Sequence, residues 1–120
     1  MKILIADDNE MNRSLMFALL QRNGYEVLEA ADGAQAVKFA KEHIPDLIIM
    51  DIQMPVLDGV TALRMLRADE STKTMPVIAI TSYAMKGDRE KFLKAGFDSY
   101  ISKPINTKEV ISMIEQYIKK

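Results

Sequence analysis

The chain has 120 residues, 48% hydrophobic and 28% charged, which is enough for one domain whose core needs no disulfide or metal staple. Sixteen basic residues against seventeen acidic ones leave a net charge of -1, which argues against nucleic acid as a direct partner. With no cysteine and a single histidine, His43, the sequence excludes thiolate zinc sites, cysteine nucleophiles, histidine-cluster metals and most histidine-based triads, and leaves carboxylates to carry any chemistry.

Ile3-Leu4-Ile5-Ala6 is apolar without alternation, as in a strand covered on both faces, and runs into Asp7-Asp8-Asn9. Leu15, Met16, Leu19 and Leu20 then recur at three and four, predicting an amphipathic helix that Gly24 stops. Tyr25-Glu26-Val27-Leu28 reads as a second strand. Asp32 followed by Gln35 is a capping-box start for a helix carrying Ala36, Val37 and Ala40 and closed by Pro45. Leu47-Ile48-Ile49-Met50, again apolar throughout, is a third strand leading into Asp51. Val60, Leu63 and Leu66 mark a third helix, and Val77-Ile78-Ala79-Ile80 a fourth strand leading into Thr81-Ser82. Phe92 and Leu93 lie on a fourth helix stopped by Gly96. Ser99-Tyr100-Ile101-Ser102 is the fifth strand, leading into Lys103-Pro104, and Asn106 with Glu109 starts a last helix carrying Val110, Met113, Ile114 and Tyr117. No run approaches the ~20 apolar residues of a membrane span and no signal-peptide core follows Lys2, so membrane insertion is not expected and the reading is cytoplasmic.

Five alternations of strand and helix predict the α/β class, a doubly wound five-stranded parallel sheet flanked by five helices in the flavodoxin-like manner, with the first, third and fourth strands central. Such sheets place ligands at the carboxyl ends of their strands. The residues there are Asp7 and Asp8, Asp51, Thr81, and Lys103. Each alone has an ordinary explanation: Asp8 or Asn9 as a helix cap, Asp51 as the start of a turn, Thr81 as a cap, Lys103 as a solvated lysine. Their convergence on one edge does not. Three carboxylates crowded there repel one another and are costly to desolvate, so a cation is required. Mg²⁺, which takes a few carboxylates, waters and phosphate oxygens, suits the set, and Lys103 adds a fixed charge for Asp51 or for a phosphoryl group. The arrangement fits phosphoryl transfer to one carboxylate, with the Thr81 hydroxyl on an equatorial oxygen.

The sequence at this point resembles the receiver domain of two-component response regulators, over essentially the whole chain, 1–120. The motifs are Ile-Ala-Asp7-Asp8-Asn9, Ile-Met-Asp51-Ile-Gln-Met54-Pro55-Val-Leu-Asp58-Gly59, Ile-Thr81-Ser-Tyr-Ala84, and Ala95-Gly96-Phe-Asp98-Ser-Tyr100-Ile-Ser-Lys103-Pro104. The resemblance implies a phosphoacceptor at Asp51, with Asp8 and Asp51 as direct Mg²⁺ ligands, Asp7 acting through water and the Gln53 backbone carbonyl completing the site; Mn²⁺ would substitute. It implies a hydroxyl switch at Thr81, an aromatic switch at Tyr100 and a phosphate-binding Lys103. It implies as partners a histidine kinase or histidine phosphotransfer protein, and a downstream protein at the face of the fourth helix, fifth strand and fifth helix. The domain catalyses its own phosphorylation and dephosphorylation in this reading but is primarily a switch, or alternatively a relay passing the group to a phosphotransfer protein. Ile105 stands where many DNA-binding members have Phe, no output domain follows Lys120, and the 84–88 stretch looks like both stand-alone cell-cycle regulators and hybrid-kinase receivers. The Lys103–Pro104 bend is expected to be cis.

Flavin or nucleotide carriers of the same fold class need glycines or small residues after the first strand, and Asp7-Asp8-Asn9-Glu10 would repel a phosphate there without a metal. A receiver that is never phosphorylated usually lacks an acid or the lysine, and a phosphatase needs a substrate lid for which the short loops leave little room. His43, just before Pro45, reads as an ordinary helix-end residue. Most of the nine methionines read as core filling, with Met54 and Met85 set apart in loops at the active edge. Lys91, Lys94, Lys108, Lys119 and Lys120 read as a solvated face.

Overall fold

The computed structural model describes residues 1–81, 88–103 and 105–118. The elements are β1 (Lys2–Ala6), α1 (Glu10–Arg22), β2 (Glu26–Ala30), α2 (Gly33–His43), β3 (Leu47–Asp51), α3 (Gly59–Arg67), β4 (Val77–Thr81), α4 (Asp88–Ala95), β5 (Ser99–Ser102) and α5 (Thr107–Ile118). All four strand pairings are parallel, in the order β2-β1-β3-β4-β5. The three apolar runs without alternation, β1, β3 and β4, occupy the centre as expected, because only central strands of a parallel sheet are covered on both faces.

Strand alternation divides the interior into two layers. Ile3, Ile5, Leu47, Ile49, Ile78 and Ile80 point toward α1 and α5, where they meet Met16, Leu20, Val110 and Ile114. Leu4, Ile48, Met50 and Val77 point the other way, toward α2, α3 and α4, and pack with Val37, Leu63, Leu66 and Phe92. The cap signals at Asn9, Asp32 and Asn106 hold, their side chains accepting hydrogen bonds from the N–H groups of Asn12, Gln35 and Glu109, and Asp58, not singled out as a cap from the sequence, accepts from the Thr61 N–H. Gln35 returns its side chain to the Ala31 N–H, one residue before the cap. Gly24 and Gly96 carry the positive φ of left-handed helix stops, at 89° and 117°.

Some expectations are corrected. β2 runs on to Ala30, which is buried, rather than ending at Leu28. Leu15 does not share the core face of α1: that face is Met16 and Leu20, while Leu15 and Met11 are 65% and 73% exposed. Met54 does lie in the β3–α3 loop beside Asp8 and Gln53, as expected, with its side chain buried in the core. α2 ends at His43, and Ile44 adopts a left-handed cap at φ 45° before Pro45. Met85, Pro104 and the Lys103–Pro104 bond, Lys119 and Lys120 lie outside the described residues. Among those described, no helix is long and apolar enough to cross a membrane.

The amino ends of the strands are fastened by polar contacts. Arg67, at the end of α3, donates to the carbonyls of Lys73, Met75 and Gly96 and to Asp98 Oδ2, at 3.0, 2.6, 2.9 and 3.0 Å. Asp98 Oδ2 also accepts from the Val77 N–H that begins β4, and the Tyr117 hydroxyl donates to the Asp98 carbonyl. The carboxyl ends are left to a different set of residues.

Candidate functional site

Asp7 follows β1 directly, Asp51 ends β3, Thr81 ends β4 and Lys103 follows β5, so four strand ends deliver these groups to one edge. The register keeps them level, since Asp51 lies opposite Ile80 and Thr81 opposite Ser102. The backbone then turns them in: Asp7 N–H donates to Ala30, Ile52 N–H to Ile80, and Lys103 N–H to the Thr81 carbonyl at 2.8 Å. That last bond ties the lysine to the threonine through the main chain.

The carboxylates of Asp7, Asp8 and Asp51 each offer an oxygen, and these lie within 4.8 Å of one another. Asp7 and Asp51 are buried, at 4% and 5% exposure, and Asp8 is exposed. Lys103 Nζ donates to Asp51 Oδ2 at 3.0 Å and to Asp7 Oδ2 at 3.5 Å. The remaining buried oxygens are held by main-chain donors, Asp7 Oδ1 by Asn9 N–H and Asp51 Oδ1 by Gln53 N–H. Burial pushes the Asp7 carboxyl above its usual value, and the Asp51 charge adds to this, against the Asn9 N–H and Lys103, which pull it down. For Lys103, burial pulls the ammonium down, and the Asp51 and Asp7 carboxylates outweigh it, leaving it raised.

Among the described residues one ammonium thus stands against three clustered carboxylates, two of them away from water, and hard oxygen ligands at this spacing are the donor set that Mg²⁺ accepts. The exposed Asp8 leaves the cluster open on the side of a cleft lined by Gln53, Pro55, Thr61 and Lys91. Thr81, 2% exposed, sits at the end of β4 with its own partner. Tyr100 is half-buried, its ring tilted against Phe92 at 6.1 Å. His43, on α2, takes no part in the cluster; its ring packs edge-on to Phe39.

Two features were not expected from the sequence. Arg13 donates to the Asp7 carbonyl at 2.7 Å and pairs with Glu29 on β2 at 3.3 Å, bracing the acidic turn from behind. The available signal was a cation in the first turn of a helix, where the macrodipole disfavours it unless it has an anchor. The second is the 52–58 loop. Gly59 N–H closes it onto the Ile52 carbonyl, and inside it Leu57 N–H bonds the Pro55 carbonyl across Val56, a γ-turn at φ 68°.

A family model for the response regulator receiver domain matches residues 3–115. The polar-differentiation response regulator DivK of Brucella ovis is 42% identical over 97% of this chain and 94% of its own length, and that of Brucella anthropi is 41% identical over the same shares. Among solved structures, the receiver domain of the sensor histidine kinase PA1611 from Pseudomonas aeruginosa, with a magnesium ion coordinated in its active site cleft, superposes with a TM-score of 0.92. It is 40% identical, over 99% of this chain and 98% of that one. The Vibrio cholerae chemotaxis protein CheY4 superposes at 0.90 with 28% identity, over 98% of each chain.

Proposed function

This chain belongs to the response regulator receiver family, and on that premise we propose that Asp51 accepts a phosphoryl group from a phosphohistidine protein or a small acyl phosphate. The observation that carries the assignment is the Lys103 contact: of the two carboxylates paired with the ammonium, Asp51 holds the shorter bond, and the two residues after it, Ile52 and Gln53, line the open cleft. In the reaction an Asp51 oxygen attacks phosphorus, the bond from phosphorus to the donor nitrogen or oxygen breaks, and a mixed carboxylic-phosphoric anhydride forms. Lys103 moves its charge from the carboxylate to the incoming phosphoryl oxygens. Asp8, Asp51 and the Gln53 carbonyl would hold Mg²⁺ directly and Asp7 through water, with Mn²⁺ as a substitute. Bound there, the cation screens the carboxylates from the phosphoryl group and stabilises the charge on its oxygens.

The donor histidine must come from another protein, because His43 lies outside the cluster. A histidine kinase or phosphotransfer protein would be received beside the exposed Met11 and Leu15, next to a groove shared by Leu19, Ile105 and Lys103. After transfer, the phosphoryl group offers Thr81 a new acceptor. Inward movement of its hydroxyl makes room for the Tyr100 ring, and the change reaches a downstream protein at the α4, β5 and α5 face. The 40% identity to a sensor-kinase receiver favours a second reading, in which the group is passed on to a phosphotransfer protein.

Intact-mass analysis after treatment with acetyl phosphate and Mg²⁺ tests the proposal. One phosphoryl adduct is expected, absent from Asp51→Asn and absent in EDTA; a normal adduct on Asp51→Asn overturns the assignment. Thr81→Ala is expected to be phosphorylated but to lose the phosphorylation-dependent change in amide exchange on α4 and at Tyr100. Rapid loss of label to an added histidine phosphotransfer protein would favour the relay reading.

A further inference from the structure

The carboxylate cluster draws on β1 and β3, yet the neighbouring loop is approached closely by the backbone of α2, a helix that supplies none of the clustered groups. Gly33 is the first residue of α2, and a Cβ built on it would overlap the Leu57 carbonyl oxygen, with Leu57 C and Cβ at 2.7 and 2.9 Å. These are main-chain atoms and a Cβ, so no rotamer change can make room. Gly59 closes on the same loop from its other end, where a Cβ would meet the Asp51 carbonyl oxygen at 2.5 Å and Ile52 Cα at 2.9 Å.

The 52–58 loop is therefore held between two glycines. Its interior offers little slack: Met54 is buried, Leu57 packs partly into the same core layer, and the γ-turn at Val56 already holds a β-branched residue at positive φ. A group pushed in from α2 can move the loop only outward, and Gln53 moves with it.

We propose that Gly33 is a positioning residue of the cation site: by fixing Leu57 it sets where the Gln53 carbonyl stands relative to Asp51 and Asp8. This rests on the reading of Gln53 as a Mg²⁺ ligand. Groups that orient metal ligands without touching the metal typically change affinity 10- to 100-fold when altered. Gly33→Ala is accordingly expected to weaken Mg²⁺ binding roughly 10-fold. The change leaves every candidate ligand and every charge in place, and Ala is the better helix former at this position.

The test is Mg²⁺ titration of folded protein by calorimetry, for wild type, Gly33→Ala and Asp8→Asn. A purely structural role for Gly33 would lower the unfolding temperature and leave the Mg²⁺ dissociation constant of the folded protein unchanged; that result overturns the proposal. If wild type binds no Mg²⁺, or Asp8→Asn binds as well as wild type, the metal-site reading itself is what fails. Should Gly33→Ala not fold, the comparison is made in a Val56→Gly background, where glycine relieves the positive φ. Gly33→Ala is expected to weaken Mg²⁺ binding relative to Val56→Gly alone, and equal affinities for the two overturn the proposal.

Discussion

Replacing Lys103 by Met removes the one ammonium that, among the described residues, pairs with the carboxylate cluster, and keeps most of the side chain's volume. Unit charges 4 Å apart exchange about 4 kcal/mol at an effective dielectric of 20, so contacts at 3.0 and 3.5 Å correspond to about 5 kcal/mol each. Relief of the ammonium's own desolvation offsets much of this, and without Lys103 the Asp7 carboxyl is raised further by burial and the Asp51 charge, which eases its protonation and limits the rest. Stripping one partner from a buried pair ordinarily costs about 3–5 kcal/mol, and the lower end is expected here. The second consequence has the opposite sign. Lys103 competes with a divalent ion for Asp51 Oδ2 and Asp7 Oδ2, so Lys103→Met is expected to bind Mg²⁺ more tightly and to recover much of its lost stability when the ion is added. Urea unfolding in EDTA and in excess Mg²⁺ measures both, with the midpoint gap between the two conditions wider in the variant. An unchanged midpoint in EDTA, or an equal Mg²⁺ gain in both proteins, would refute the electrostatic account of the site.

Asp7→Asn is expected to stabilise the metal-free protein at neutral pH, because burial and the Asp51 charge disfavour the ionised Asp7 carboxyl, and to weaken Mg²⁺ binding. Because the folded Asp7 carboxyl is raised above 3.8, its ionisation erodes stability as pH rises toward the folded value; the advantage of the Asp7→Asn variant over wild type should therefore be absent at low pH and level off above that value in EDTA denaturant titrations. Arg67→Met should lower stability by about 2 kcal/mol, since it takes the guanidinium donor from the part-buried Met75 and Gly96 carbonyls, while phosphorylation by acetyl phosphate proceeds at the wild-type rate. Ile44→Asn should raise the unfolding free energy by roughly 0.5–1 kcal/mol in urea titrations, because Asn tolerates the left-handed cap that a half-exposed isoleucine occupies at a penalty. A fall in stability would mean that Ile44 contributes apolar burial that outweighs the backbone term.

The sheet was legible because burial on both faces leaves a plain mark: β1, β3 and β4 carry uninterrupted apolar runs, and their carboxyl ends could be read off directly. The charged members of the site followed from that, since Asp7, Asp51 and Lys103 needed only strand ends to be brought together. Interactions made by the main chain were not legible. Nothing in a one-dimensional pattern distinguishes Gly33, where a Cβ would collide with Leu57, from a glycine tolerated for want of pressure, nor marks Val56 as the centre of a γ-turn. Leu15 misled for a related reason: an apolar residue at helical spacing reads as core, but the face of α1 that meets the sheet carries Met16 and Leu20 and leaves Leu15 to solvent.

The Arg67 hub separates two kinds of selection along the strand axis. One guanidinium holds the start of β4, the approach to β5 and, through Asp98, the end of α5, all at the edge away from the carboxylates. Local opening of that edge should be costly, so its amides are expected to exchange late. Residues around the cluster can then diverge with less effect on whether the chain folds. For a receiver domain, this arrangement lets recognition drift while the scaffold stays fixed, and it points to the loops at the carboxyl ends as the place to graft a new specificity.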